Sequence, residues 1–375
     1  MPGEAVEWLR AWDSQGFHRT GTDGDEAGAV WLAREAAALG AAVTSETFAL
    51  DRIDPVDACL ELEDGRIDAV PVFDAPPTGP DGVSGVLGPA GSDAAIGVAE
   101  LWPRSVYSGE YQRLRRNASH RALVIVSRGS RPGLGLLNAE SFRSPYGAPA
   151  IQVASDARAA VLTGAATGSI ARLVAHYRRT TASARNIVVT IAGRDRACPP
   201  VVVMTPRSSW WQSTAERGGG LVCWLRSLHA LLIAPPAMDV VLTANSGHEL
   251  GHLGLDAFLA RRPGWERDAL WVHWGANLGA AGGRLTVMST SDELRALAAR
   301  ELARAGQPPD ALAAKTEVPS GETRDIHRAG GRYVTLVGSN PWFHLPQDRW
   351  PHAVDVDAVD RIAGAAARLV VALTR

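Results

Sequence analysis

Apolar positions fall along this chain in two rhythms. From residue 186 onward, short apolar runs alternate with longer segments of helical period, and the alternation sets the architecture. Residues 186–193 and 199–205 read as two strands joined by a turn, the second so continuously apolar that it suits the centre of a sheet. Residues 221–232 read as a helix opened by Gly218-Gly219-Gly220, where the missing side chains allow close approach. Residues 238–244 form a further apolar run and lead, through a polar turn, into a helix over 257–261. Residues 268–272, 285–288 and 333–337 read as strands, whereas 292–305, with Ser291 as N-cap, and 359–373 read as helices. Strands alternating with helices predict an α/β fold with a largely parallel central sheet flanked by helices.

The first half has a different texture. Residues 5–12 and 26–39 read as helices around the Gly- and Asp-rich loop 18–25, and 43–50 as a strand. Residues 51–153 then carry short β-like pieces (59–62, 67–72, 122–127) between Pro- and Gly-rich turns. Residues 156–163 and 168–179 read as connecting helical segments. The expected organisation is an N-terminal part (1–50) and a main α/β part (154–375) of one domain, interrupted by a β-rich insertion (51–153).

Composition narrows the function. The chain has 375 residues, 46% hydrophobic and 21% charged, as an ordinary globular protein does. A net charge of -2 argues against a nucleic-acid partner, which needs a basic surface to neutralise phosphates. All but one of the 38 basic residues are arginine, Lys315 being the exception, which reads as genomic base bias before arginine chemistry. Cys59, Cys198 and Cys223 form no CxxC pair, so neither a disulfide framework nor a thiolate zinc site is expected. The first residues lack the basic start and apolar core of a signal peptide, and residues 221–234 are too short and too interrupted to span a bilayer. A cytoplasmic protein without a membrane partner is expected, and a homo-oligomer remains open.

The chemistry gathers where strands end. Glu216, His248-Glu249, His273 and His344 each lie in a polar or glycine-rich segment at or after a predicted strand, the edge where open α/β sheets bind their ligands. His248-Glu249-x-x-His252 also spells the zincin signature. That motif needs a continuous helix, whereas the strand just upstream and the glycines at 247, 251 and 254 favour a strand-end loop.

The ordered set of segments resembles the co-catalytic zinc aminopeptidases and their relatives, the glutaminyl cyclases. The set comprises Pro206-Arg207-Ser208, Glu216-Arg217-Gly218-Gly219-Gly220, His248-Glu249-Leu250-Gly251-His252-Leu253-Gly254, His273-Trp274-Gly275-Ala276-Asn277-Leu278-Gly279 and His344-Leu345-Pro346-Gln347-Asp348. Gly321-Glu322-Thr323-Arg324-Asp325-Ile326-His327-Arg328-Ala329-Gly330 is a weaker echo of the family's Ser-Asp-His-x-Pro-Phe segment. Arg19-Thr20-Gly21-Thr22 resembles the family's N-terminal segment, and residues 120–129 and 147–153 resemble its inserted protease-associated domain.

The resemblance implies a zinc exopeptidase-like fold and an incomplete two-metal site. Pro206 and Ser208 stand at the family's His-x-Asp, and Gly275 or Ala276 at its later aspartate. Glu216, Glu249 and His344 remain as ligands, a shell suited to one zinc with a position open for water. His248 replaces the family's catalytic glutamate and is expected to be the base. His273 is expected to orient substrate and Asn277 to donate to an oxyanion. Arg207 and Arg217 are candidate grips for a substrate carboxylate, and Trp210, Trp211, Trp274 and Trp342 a candidate pocket wall. His252 and Asp348 are expected to support the ligands rather than bind metal. The implied activity is hydrolysis of an amide in a small molecule or short peptide by metal-activated water. The alternatives are a glutaminyl cyclase-like acyl transfer and an inactive homologue that only binds.

Overall fold

The computed structural model describes residues 3–116, 119–195 and 197–375. Its main sheet is built on four parallel strands, Val240–Asn245, Val201–Pro206, Leu270–Trp274 and Arg332–Gly338, which neighbour one another in that order. Leu285–Ser289 runs antiparallel beyond them, and the end of the long strand Ile170–Ile191 runs antiparallel on the other side. Because the central four are parallel, their C-terminal ends share one edge. Alternation along a strand sends Val201 and Val203 to one face and Val202 and Met204 to the other. The first face packs on helices Glu4–Asp13, Asp23–Ala38, Thr214–Ile233, Asp292–Arg304 and Val356–Leu373. The second packs on Leu253–Ala260 and Thr323–Arg328.

Two predicted elements change. Residues 168–179 are not helical but open the 22-residue strand Ile170–Ile191, which pairs antiparallel with the 20-residue strand Val43–Leu62. Ala171, Leu173, Ala175 and Tyr177 alternate inward, and cross-strand pairing overrides the local helical preference. The helix expected from residue 221 begins at Thr214, so the three glycines lie inside its early turns. A Cβ on Gly219 would stand 1.8 Å from the carbonyl oxygen of Leu278, which is why this helix can press against the loop after Leu270–Trp274. Glu216 consequently sits in a first helical turn and not in a preceding loop.

The two long strands continue into a ring. Val43–Leu62, Gly65–Pro71, Ala150–Val153, Ala122–Ser127, Ile96–Leu101, Val83–Pro89 and Ile170–Ile191 each pair with the next, and the last pairs with the first. Leu60, Leu87, Ile96, Val124, Ile151 and Leu173 fill it with a core of its own. No helix among the described residues is long and apolar enough to cross a membrane.

Candidate functional site

At the shared strand edge, the loop after Asn245 turns through a short helical turn, His248–Leu250, before helix Leu253–Ala260 begins. Gly251 (φ 76) and His252 (φ 62) are both left-handed, so no continuous helix carries His248 to His252. The rings still meet, with centroids 5.1 Å apart. Three of the four left-handed non-glycine residues among those described, His252, Asn277 and His344, belong to these strand-end loops. Backbone strain of this kind concentrates at functional sites.

Glu249 is fully buried and has both oxygens taken. Oε1 accepts from the Thr20 amide at 2.7 Å and the Thr20 hydroxyl at 2.6 Å, and Oε2 accepts from the Ser208 hydroxyl at 2.5 Å. Ser208 Oγ also accepts from the Gly247 and His248 amides, at 2.8 and 3.1 Å. Beside this lies a buried ion pair, Arg207 to Asp25 at 2.9 Å, with Ser246 donating to the same aspartate. This half of the site is closed.

Glu216 is held differently. Arg217 Nη2 lies 2.8 Å from its Oε1 and His344 Nε2 lies 3.4 Å from it. Burial would raise its pKa, but Arg217 and His344 outweigh that and hold it at about 2. His344 Nδ1 is 2.5 Å from the Leu136 carbonyl, which ties the ring to the segment after the β-ring strand Ala122–Ser127.

His273 sits one residue before the end of its strand, directly beside Thr335 on the neighbouring parallel strand. Its Nδ1 is flanked by the Thr335 hydroxyl at 2.8 Å and the Thr323 hydroxyl at 2.5 Å. Its Nε2 lies 3.7 Å from Glu322 Oε2. His252 Nδ1 lies 2.5 Å from Asp325 Oδ2, a bond that raises its pKa against the opposing effect of burial. Burial, with His252 and Arg217 nearby, pushes His273 down to about 3, and burial raises Glu322 to about 7. Burial also lowers His248 well below the usual histidine range, and Arg217, His252, His344 and His273 add to it. A cavity of about 490 Å³ lined by Tyr107, Gln112, Glu140, His252, Arg324 and Asp325 leads to this second half.

Solved structures place this arrangement among known ones. The chain is similar to a zinc aminopeptidase from Bacillus subtilis, at 16% identity and a TM-score of 0.77, over 97% of this chain and 93% of that one. It is also similar to a peptidase M28 precursor from Shewanella amazonensis, at 13% identity and a TM-score of 0.76 over 99% and 96% of the two chains. An aminopeptidase from Aneurinibacillus sp. strain AM-1 matches at 14% identity and a TM-score of 0.70, over 96% and 92%. The fold is that of the zinc aminopeptidases. No family model matches the chain, and no curated protein does either.

Within the aminopeptidase fold, the transferred zinc shell does not form. Glu216 and His344 meet, but Glu249 faces Thr20 and Ser208, which engage both its oxygens. Among the described residues no three His, Cys, Asp or Glu side chains are gathered around a common point at metal-binding spacing. The Glu216, Glu249, His344 set therefore does not fit a zinc ion. Arg207 is no substrate grip either, since it is buried against Asp25 and the Arg185 carbonyl. Arg217 does reach the cluster, with Nε donating to the Ser208 carbonyl at 2.7 Å.

The aromatic wall dissolves into separate jobs. Trp274 is fully buried in the main core, and Trp210 packs on Phe73 while its Nε1 donates to Asn138 Oδ1 at 3.1 Å. Trp211 donates to the His344 carbonyl at 2.8 Å and supports that loop, and Trp342 lies under Arg131 and beside His352. Asn277 Nδ2 donates one of its two N–H groups to the Gly338 carbonyl at 3.2 Å. Asp348 caps the helix that carries Glu216, accepting from the Ala215 and Glu216 amides at 2.8 and 3.0 Å, and burial pushes it to about 8. Sequence reasoning gave no role to Thr20, Glu322, Thr323 or Asp325. Their only signal was the family echoes around residues 19–22 and 321–330.

Proposed function

We propose that this chain hydrolyses an amide bond in a small molecule or short peptide at the strand edge where His248, His252, His273 and His344 converge. The observation that carries the reading is that each of these four buried imidazoles has one ring nitrogen without a hydrogen-bond partner. Idle structural histidines would not be expected to collect unpartnered nitrogens at the edge where α/β sheets bind ligands. His248, neutral and with Nδ1 free to accept, takes a proton from the attacking water and returns it to the leaving amine. The Arg217 guanidinium is a fixed positive charge placed to offset the negative charge that develops on the attacked carbonyl oxygen. The charged cavity beside Glu140 and Arg324 suits a polar substrate. The ring of strands acts in this reading as an inserted lid of the protease-associated kind, in a cytoplasmic protein whose three cysteines are free.

One observation favours a second reading, a binding protein without turnover: the carboxylate at the family's ligand position, Glu249, is fully engaged by protein donors. Incubation with a panel of short peptides and aminoacyl amides in oxygen-18 water separates the two. Hydrolysis places the label in the new carboxylate and disappears in His248→Ala; a cyclising acyl transfer releases amine without label. If the unaltered protein releases no more amine than His248→Ala, the hydrolase reading fails.

A further inference from the structure

The buried arginines of this chain, Arg115, Arg207, Arg217 and Arg324, are each paired with a carboxylate. Three exposed ones around a single cavity are not. Arg104 lies over the Phe343 ring at 5.7 Å, Arg128 over Trp102 at 5.4 Å and Arg131 over Trp342 at 4.8 Å. Among the described residues none of the three is in an ion pair with a carboxylate. Arg128 does act electrostatically on Glu100, but Arg158 already holds both oxygens of that carboxylate, at 2.6 and 3.1 Å.

The cavity measures about 290 Å³, at the small end of ligand sites, which run from roughly 300 to 1,000 Å³. Trp102, Pro103 and Arg104, which follow the ring strand Ile96–Leu101, line it together with Pro341 and Phe343 from the loop after strand Arg332–Gly338. Trp102 keeps 42% of its surface open although Arg128 lies over its ring. Positive charge and flat apolar surface are thus offered side by side, and no carboxylate of the chain takes up the charge. A guanidinium holds a carboxylate through two parallel hydrogen bonds, and a ring beside it adds apolar contact. The cavity also adjoins the strand-edge site, because Phe343 stacks on His344 with centroids 3.9 Å apart. A second cavity of about 520 Å³ shares Arg104 and Ser339 with the first, and Asp310 and Glu317 line only that second one. The aromatic end of the cleft is therefore the positive end.

We propose that this cleft binds the carboxylate-bearing aromatic end of a ligand, its ring against Trp102 and Pro103 and its carboxylate on Arg104, with Arg128 and Arg131 adding to the attraction. The chemical class is an aromatic carboxylic acid, and a peptide ending in free phenylalanine or tyrosine is its substrate form. That the ligand is a substrate rests on the hydrolase reading; that it binds does not. The carboxylate grip expected at Arg207 and Arg217, which are committed to Asp25 and Glu216, thereby moves to exposed arginines beside the ring of strands.

The test uses the full chain and three ligands with no bond to cleave, read by ligand-observed NMR at low ionic strength. Phenylpropionate carries both features, phenylpropanol lacks the charge and butyrate lacks the ring. Phenylpropionate should bind at least about tenfold more tightly than either, the worth of one charge-assisted pair. Arg104→Gln should abolish the preference for the acid over the alcohol, and Trp102→Ala the preference over butyrate. Both side chains are exposed, and circular dichroism confirms that each variant folds. Failure of phenylpropionate to bind, or equal binding of acid and alcohol, overturns the proposal. So does an acid preference that survives Arg104→Gln but is lost in Arg324→Gln, which would put the ligand in the cavity beside Glu140. In turnover, peptides ending in free phenylalanine should exceed their C-terminal amides by about tenfold in kcat/KM. Acid binding with no peptide cleaved would remove the hydrolase reading alone; cleavage without preference for the free carboxylate would remove this site alone.

Discussion

Glu249 and Glu322 are both fully buried carboxylates at the same sheet edge, and they are treated in opposite ways. Glu249 accepts three hydrogen bonds from Thr20 and Ser208 and belongs to a network that runs on to Ser246, Asp25 and Arg207. Glu322 has no comparable partner and faces the His273 imidazole, whose Nε2 lies 3.7 Å from its Oε2. Satisfied buried polar networks rigidify a fold, and unsatisfied ones are kept only where something else uses them. The first half of the site is thus read as scaffold, and the second as chemistry.

The largest effect should come from breaking the scaffold. Asp25→Ala leaves the Arg207 cation buried without its counter-ion and should cost about 3–5 kcal/mol, measured by urea unfolding. Next is Thr20→Val, which removes the hydroxyl donor to a buried carboxylate; a loss of about 1.5–3 kcal/mol is expected, and a neutral result would mean Glu249 does not anchor the scaffold. A pH effect of middle size comes from His18, buried and stacked on Trp12 with ring centroids 3.5 Å apart, whose pKa is lowered to about 3 chiefly by burial. The unfolded chain binds this proton first, so stability is full above pH 6.5 and falls as pH drops below it. At pH 5.5 the loss relative to pH 6.5 should reach about 1 kcal/mol, and His18→Phe should abolish that part of the acid slope. The smallest change in stability should follow Glu322→Gln, measured by urea unfolding. Replacing a buried carboxylate that no well-formed hydrogen bond satisfies should leave unfolding unchanged or slightly harder. A drop as large as that of Asp25→Ala would erase the contrast between the halves.

The sequence made the frame readable for a physical reason. Strands buried on both faces, such as Val201–Pro206 and Val240–Asn245, are written as unbroken apolar runs, so their ends could be located within a residue or two. Residues 168–179 misled because their apolar spacing satisfies either period, and only pairing with Val43–Leu62 decides. The site was legible as a list of strand ends but not as a partition. Thr20 reaches Glu249 across 229 positions, and nothing local announces that two hydroxyls saturate that carboxylate. Conversely, Glu322 stands in a polar stretch, and its complete burial is a tertiary fact. The matched spelling His248-Glu249-x-x-His252 pointed to the right loop for the wrong reason, since the glutamate turns away and the second histidine faces the cluster.

The paired strands Val43–Leu62 and Ile170–Ile191 run from the main sheet into the ring, with one register shift, at Pro55 to Asp57. Two bodies that share their longest strands have no slack linker between them. Melting the ring would strip the edge of the main sheet of the same hydrogen bonds, so heat should take both apart in a single cooperative step, and a protease should find no junction at which to release one intact from the other.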